Sequence, residues 1–155
     1  MDKYIKLSKR LRSQIEKNYC IEPKESYNNF NFRAQAKIFE PNIFPADRHG
    51  FVTGWYQHYN DRAYIFCRDS NDVRYCREIY KETLLRGTGL IDSNGKEIFQ
   101  GDELIPAIEI YAIDGLVTGN FTCVWENFSF RFRNRDYQYI KPEDYYLLES
   151  FTIKE

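Results

Sequence analysis

The chain has 155 residues, with 22 Lys and Arg against 23 Asp and Glu, for a net charge of −1. That length fits one domain, or one domain with an appended arm, and the charge excludes a protein that holds nucleic acid by bulk positive charge. The 13 Tyr, 12 Phe and 2 Trp argue against disorder and for a β-rich globular fold, and no apolar run approaches the roughly 18 residues of a membrane helix.

In chain order, residues 2–18 read as a helix. Tyr4, Leu7, Leu11 and Ile15 follow at steps of three, four and four and line one face. Lys3, Lys6, Lys9, Arg10, Arg12 and Lys17 occupy the remainder, and Asp2 can cap the start. No apolar stretch follows the first lysines, so a secretory signal is not expected and the predicted location is cytoplasmic. From Phe30 the period becomes two: Phe30, Phe32, Ala34, Ala36 and Ile38 alternate with polar residues, as in a half-buried strand. Pro41 and Pro45 bound an irregular stretch. Residues 51–58 and 63–68 flank Asn60-Asp61 and predict a hairpin.

Residues 73–85 show no sustained helical stripe and are read as strands. Asn94-Gly95 is a strong turn signal, with Gly101-Asp102 six residues beyond. Residues 103–113 and 116–125 are strand candidates around Asp114-Gly115. In residues 128–133, Phe128, Phe130 and Phe132 alternate with Ser129, Arg131 and Arg133. Residues 145–153, after Pro142, read as a closing strand. The expected fold is mainly β (α+β): an N-terminal helix followed by an antiparallel small barrel or packed sheets.

The string from Thr88 to Leu104, Thr-Gly-Leu-Ile-Asp-Ser-Asn-Gly-Lys-Glu-Ile-Phe-Gln-Gly-Asp-Glu-Leu, resembles the central motif of the YopX family, small proteins of bacteriophages and prophages. Phe32-Arg33-Ala34 resembles the F-R-A that opens that family's domain, although Gln35 stands where the family usually has Trp. The glycine-containing segment often found near the family's C-terminus is not recognisable around Tyr145–Phe151. The resemblance runs over about residues 30–153, which divides the chain into a basic helical arm (1–29) and a YopX-like β domain (30–155). It implies a phage or prophage accessory protein and brings no catalytic residue. Independently of the name, Asn94, Gly95, Gly101 and Asp102 form a structural turn motif that fixes strand register.

Chemistry is sparse. Neither a Walker-type nor a dinucleotide-binding glycine loop precedes a helix. Asp92, Glu97, Asp102 and Glu103 would suit a divalent cation, but turn capping accounts for the two aspartates. Cys20, Cys67, Cys76 and Cys123 contain no C-x-x-C pair, and His49 and His58 lack ligand spacing. Reduced thiols are expected, with no metal, no cofactor and no enzyme activity.

Two candidate binding surfaces remain. Arg131 and Arg133, with Arg135 extending them, form a basic stripe on the strand face opposite the phenylalanines. Lys6, Lys9, Arg10 and Arg12 form another on the helix. The plainer alternatives are a wetted strand face and a helix whose Leu7, Leu11 and Ile15 pack on the β domain. Charge is also polarised: residues 1–68 carry 12 basic and 7 acidic side chains, residues 87–155 carry 6 and 12. The expected partner is therefore a second copy or a host protein, with nucleic acid on the basic surfaces as the alternative and no membrane.

Overall fold

A computed structural model describes residues 4–5, 9–19, 31–37, 46–47, 49–69, 71–106 and 119–155. These carry one α-helix, ten antiparallel strands and two 3-10 segments. Among the described residues no strand set closes into a barrel; the fold is one of antiparallel sheets with an N-terminal helix. The chain divides into two compact units, residues 29–87 and residues 1–28 with 88–155.

In the 29–87 unit, strands β1 (Phe32–Gln35), β2 (Phe51–Tyr59), β3 (Arg62–Arg68) and β4 (Arg74–Glu78) lie in the order β4-β3-β2-β1, with the start of β5 (Leu85–Ile91) beside β1. A 3-10 turn at Lys81–Thr83 precedes β5. The predicted hairpin is present: Asn60 (φ 47°) and Asp61 (φ 60°) form a two-residue turn of the mirror-image type that matches strand twist. Ala34, Ala36, Val52, Ala63, Ile65, Cys67 and Ile79 are the core. Three of these seven are alanine. At Gly54 an added Cβ would stand 2.0 Å from the Phe66 carbonyl oxygen.

The other unit holds the remainder of β5, then β6 (Glu97–Phe99), and a sheet of order β10-β7-β8-β9 built from β7 (Glu103–Pro106), β8 (Phe121–Glu126), β9 (Ser129–Arg133) and β10 (Phe151–Ile153). Helix α1 (Lys9–Tyr19) belongs to its core: Leu11 and Ile15 pack with Leu104, Phe121, Phe132, Leu147 and Leu148. Burial of each large side chain contributes about 1.5–3 kcal/mol. The predicted helix begins later than its apolar spacing suggests. Tyr4 is extended and bridges Tyr139, and the Ile5 N–H donates to the Tyr139 carbonyl at 2.9 Å.

The predicted closing strand over 145–153 is corrected. Pro142, with its missing donor, opens a 3-10 helix from Pro142 to Ser150, and only Phe151–Ile153 is strand. Asp144, Tyr146, Leu147, Leu148 and Ser150 are buried, a pattern without period two. Of the strands predicted at 103–113 and 116–125, only residues 103–106 and 119–125 fall among the described residues; Glu103–Pro106 and Phe121–Glu126 are strand, and Asp114-Gly115, Pro41 and Pro45 lie outside the described residues.

Candidate functional site

The string from Thr88 to Leu104 folds around two buried carboxylates. Asp92 is 2 % exposed. Its Oδ1 accepts from the Asn94 and Lys96 N–H groups at 2.8 and 2.9 Å, and its Oδ2 accepts from the Ile153 N–H at 3.1 Å. Of the Asn94-Gly95 pair, only Gly95 (φ 75°) takes positive φ. The Asp92 N–H donates to the Lys96 carbonyl, which closes a three-residue loop. Asp102 Oδ2 accepts from the Phe99 N–H at 2.8 Å across the turn in which Gly101 has φ 91°, and its backbone carbonyl accepts from the Cys123 N–H at 2.9 Å. Thr88 Oγ1 donates to the Ile98 carbonyl and accepts from the Leu90 N–H, joining β5 to β6. Each of these side-chain bonds runs to backbone, and together they fix the register of the turns and of β5 against β6.

The hairpin β8–β9 carries the predicted arginine stripe. Trp125 pairs with Phe130 and Cys123 with Phe132, on the core-facing side. Burial pushes the Cys123 thiol up to about 12. Arg131 and Arg133 share the other side with Glu126. Arg131 lies over the Tyr139 ring at 5.5 Å, and Arg133 over the Tyr137 ring at 4.7 Å. Arg133 Nη1 is also 2.8 Å from Glu126 Oε1, while Glu126 Oε2 accepts from the Tyr139 hydroxyl at 2.8 Å and holds that phenol above its ordinary value. Arg135 is off the strand, exposed in the turn that Asn134 shapes by accepting from the Asp136 and Gln138 N–H groups. The structure thus brings Arg131 and Arg133 together and already engages both.

On α1, Lys9 and Arg10 are exposed, and Lys6 lies outside the described residues. Arg12 turns inward: its Nη2 is 3.1 Å from Asp144 Oδ1. Burial holds the Asp144 carboxyl above its ordinary value, against the opposing pull of Arg12. Among the described residues no group of three or more His, Cys, Asp or Glu is placed to hold a metal ion. No helix there is long and apolar enough to cross a membrane.

The family model described as YopX protein matches residues 52–151. The chain belongs to the YopX family. The matched span contains the whole Thr88–Leu104 string, so the most specific piece of YopX-like sequence coincides with the double-carboxylate turn system. Phe32-Arg33-Ala34 lies outside that span. No curated protein matches the chain.

One residue on this YopX-family hairpin has a different role from the one its sequence alternation suggests. Phe128 is not on a strand with Phe130 and Phe132. It is the second turn residue of β8–β9, with φ 60° and 94 % of its surface exposed. The signal was the two-residue separation of the strands after Glu126. It was masked by a Phe where such turns favour glycine.

Proposed function

We propose that this YopX-family protein is a non-enzymatic phage or prophage accessory protein that acts in the host cytoplasm by protein–protein association, with Phe128 as an anchor that enters an apolar pocket of its partner. The observation that carries this reading is the conformation of Phe128. A left-handed conformation costs a non-glycine residue about 1–2 kcal/mol. Full exposure also leaves the whole aromatic surface in water. The β2–β3 turn solves the same geometric problem with Asn-Asp, so the β8–β9 turn carries a cost that folding does not require. Buried aromatic anchors concentrate binding energy at interfaces. The double burden at Phe128 fits such an anchor. Modulation of a host system is one consequence of such binding.

The test compares the full chain with Phe128→Gly by light scattering at two salt concentrations and by capture from host lysate. Self-association, or a retained host protein, is expected for the parent chain and is lost in the variant. A parent chain that stays monomeric at both salts and retains no more than the variant overturns the reading. The arginine stripe gives less support to nucleic acid as the partner here, because Arg131 and Arg133 are engaged by Tyr139, Glu126 and Tyr137.

A further inference from the structure

The 29–87 unit carries a second surface, unrelated to the hairpin tip. On the face of β2-β3-β4 that bears Trp55, the register sets Trp55 opposite Phe66, and Phe66 opposite Cys76. One two-residue step along, Arg68 stands directly opposite Arg74. Side chains at such a step share a face and are about 7 Å apart along the strand. Two rows result: an aromatic row and, beside it, a cationic row.

Both rows are unusual. Trp55 is 75 % exposed and Phe66 45 %, on a strand pair whose opposite face is the unit's core. Like charges directly opposite each other on neighbouring strands destabilise the pair, yet Arg68 and Arg74 are so placed. Asp72 pairs with Arg68 at 2.9 Å from the connecting turn. Both members of that pair are well exposed, so it holds little energy. Trp55, Phe66, Arg68 and Arg74 line one open groove of about 790 Å³, and no carboxylate lines it.

We infer that this groove binds a nucleotide unit, with the base stacked on Trp55 and Phe66 and the phosphate between Arg68 and Arg74. The argument is complementarity. An aromatic face beside a doubled cation matches a ligand that joins a flat π-system to an anion, and an anion between the arginines relieves their mutual repulsion. Stacking on exposed aromatics together with backbone neutralisation is how single strands are held without sequence readout. A duplex hides its base faces, so it cannot use the aromatic row. The same chemistry is offered by a free nucleotide and by a single-stranded polynucleotide, and the experiment separates these two sources.

The full chain is titrated against a labelled 12-nucleotide oligo-dT, the same oligonucleotide as a duplex, a nucleoside monophosphate and inorganic phosphate. Fluorescence anisotropy reads the oligonucleotides and tryptophan quenching reads the small ligands. Binding of the single strand in preference to the duplex, weakening as salt rises, assigns a polynucleotide. Saturable quenching by the monophosphate but not by phosphate, without oligonucleotide binding, assigns a free nucleotide. In either case Trp55→Ala is expected to weaken binding at least about fivefold. Arg68→Ala with Arg74→Ala is expected to weaken it and flatten its salt dependence. The Trp55→Ala arm is read by anisotropy or by competition against labelled ligand. The inference is overturned by no binding of any base-bearing probe at low salt, by equal affinity for duplex and single strand, or by binding that survives these changes. Phe128→Gly leaves this binding unchanged, so failure here and failure of the association reading are distinct results.

Discussion

Arg12 and Asp144 are 132 positions apart in sequence, and the Arg12 guanidinium nitrogen lies 3.1 Å from the Asp144 carboxylate. The aspartate side chain is 1 % exposed and the arginine 33 %. The pair joins α1 to the 3-10 helix at 142–150, beside Leu11 and Ile15. A buried carboxylate favours its protonated form, and Arg12 opposes that preference only in part. The folded carboxyl therefore titrates above the ordinary 3.8. Its contribution to stability is full below that value and declines as pH rises through the folded pKa.

Arg12→Ala removes the compensating charge. The expected loss is about 1–3 kcal/mol, at or below the lower end for a broken buried pair because Arg12 keeps a third of its surface in water. The loss grows from pH 4 to pH 8 as the unpaired carboxylate is forced to ionise. Asp144→Asn flattens this pH dependence. Urea denaturation at several pH values measures both; a cost for Arg12→Ala that does not vary with pH contradicts the account.

Asp92 accepts three backbone N–H groups while almost fully buried. Asp92→Ala leaves those donors without partners, at an expected cost of about 3 kcal/mol. Lys96→Ala, which removes an exposed pair with Glu155, is expected to change stability by less than about 1 kcal/mol. Equal effects in thermal unfolding would show that the turn is not held by the Asp92 carboxylate.

Two glycines separate crowding from conformation. Gly54→Ala puts a Cβ 2.0 Å from backbone oxygen, and something in β2 or β3 must move; the expected cost is about 2–3 kcal/mol. Gly95→Ala meets nothing within 4 Å but keeps φ 75°, so only the left-handed penalty of about 1 kcal/mol applies. The reverse ranking in denaturant midpoints would reject the close approach of β2 and β3.

Phe128→Gly relieves the same penalty at the β8–β9 turn. The variant is expected to be more stable than the parent by up to about 1 kcal/mol while it loses association. Calorimetry checks the first half. A less stable variant would mean that Phe128 serves the fold.

Thiol reactivity follows burial. In a Cys20→Ser background, Cys76 is exposed and reacts fast with an aromatic disulfide reagent. Cys67 and Cys123 are buried, their thiols raised by burial, and react only on unfolding. Rapid modification of more than one thiol in native buffer would contradict the packing.

What the sequence disclosed depended on whether neighbours in sequence were also neighbours in space. The β2–β3 hairpin was legible because Asn60-Asp61 and its flanking β-formers are local signals. Turn capping by Asp102 was legible for the same reason. The extended Tyr4 was not, since its position is set by Tyr139, far along the chain. Tyr145–Leu148 is rich in strand formers and was overridden by Pro142 and by burial on several sides. The Arg68–Arg74 juxtaposition depends on the β3–β4 register, which no local pattern announces. Phe128 was hidden because a turn residue of strand-forming type continued the alternation of its neighbours.

The Arg12–Asp144 contact also bears on synthesis. The unit that contains it is interrupted in chain order by residues 29–87, which form a unit of their own with their own core. A ribosome releases the inserted unit's whole sequence before it makes Asp144, Phe151 or Ile153. Helix α1 must therefore wait, its Leu11 and Ile15 uncovered, until the last strands emerge, while the inserted hairpins can already pair. Vectorial synthesis thus favours completion of the middle of this chain before its ends, with α1 exposed to chaperones in the interval.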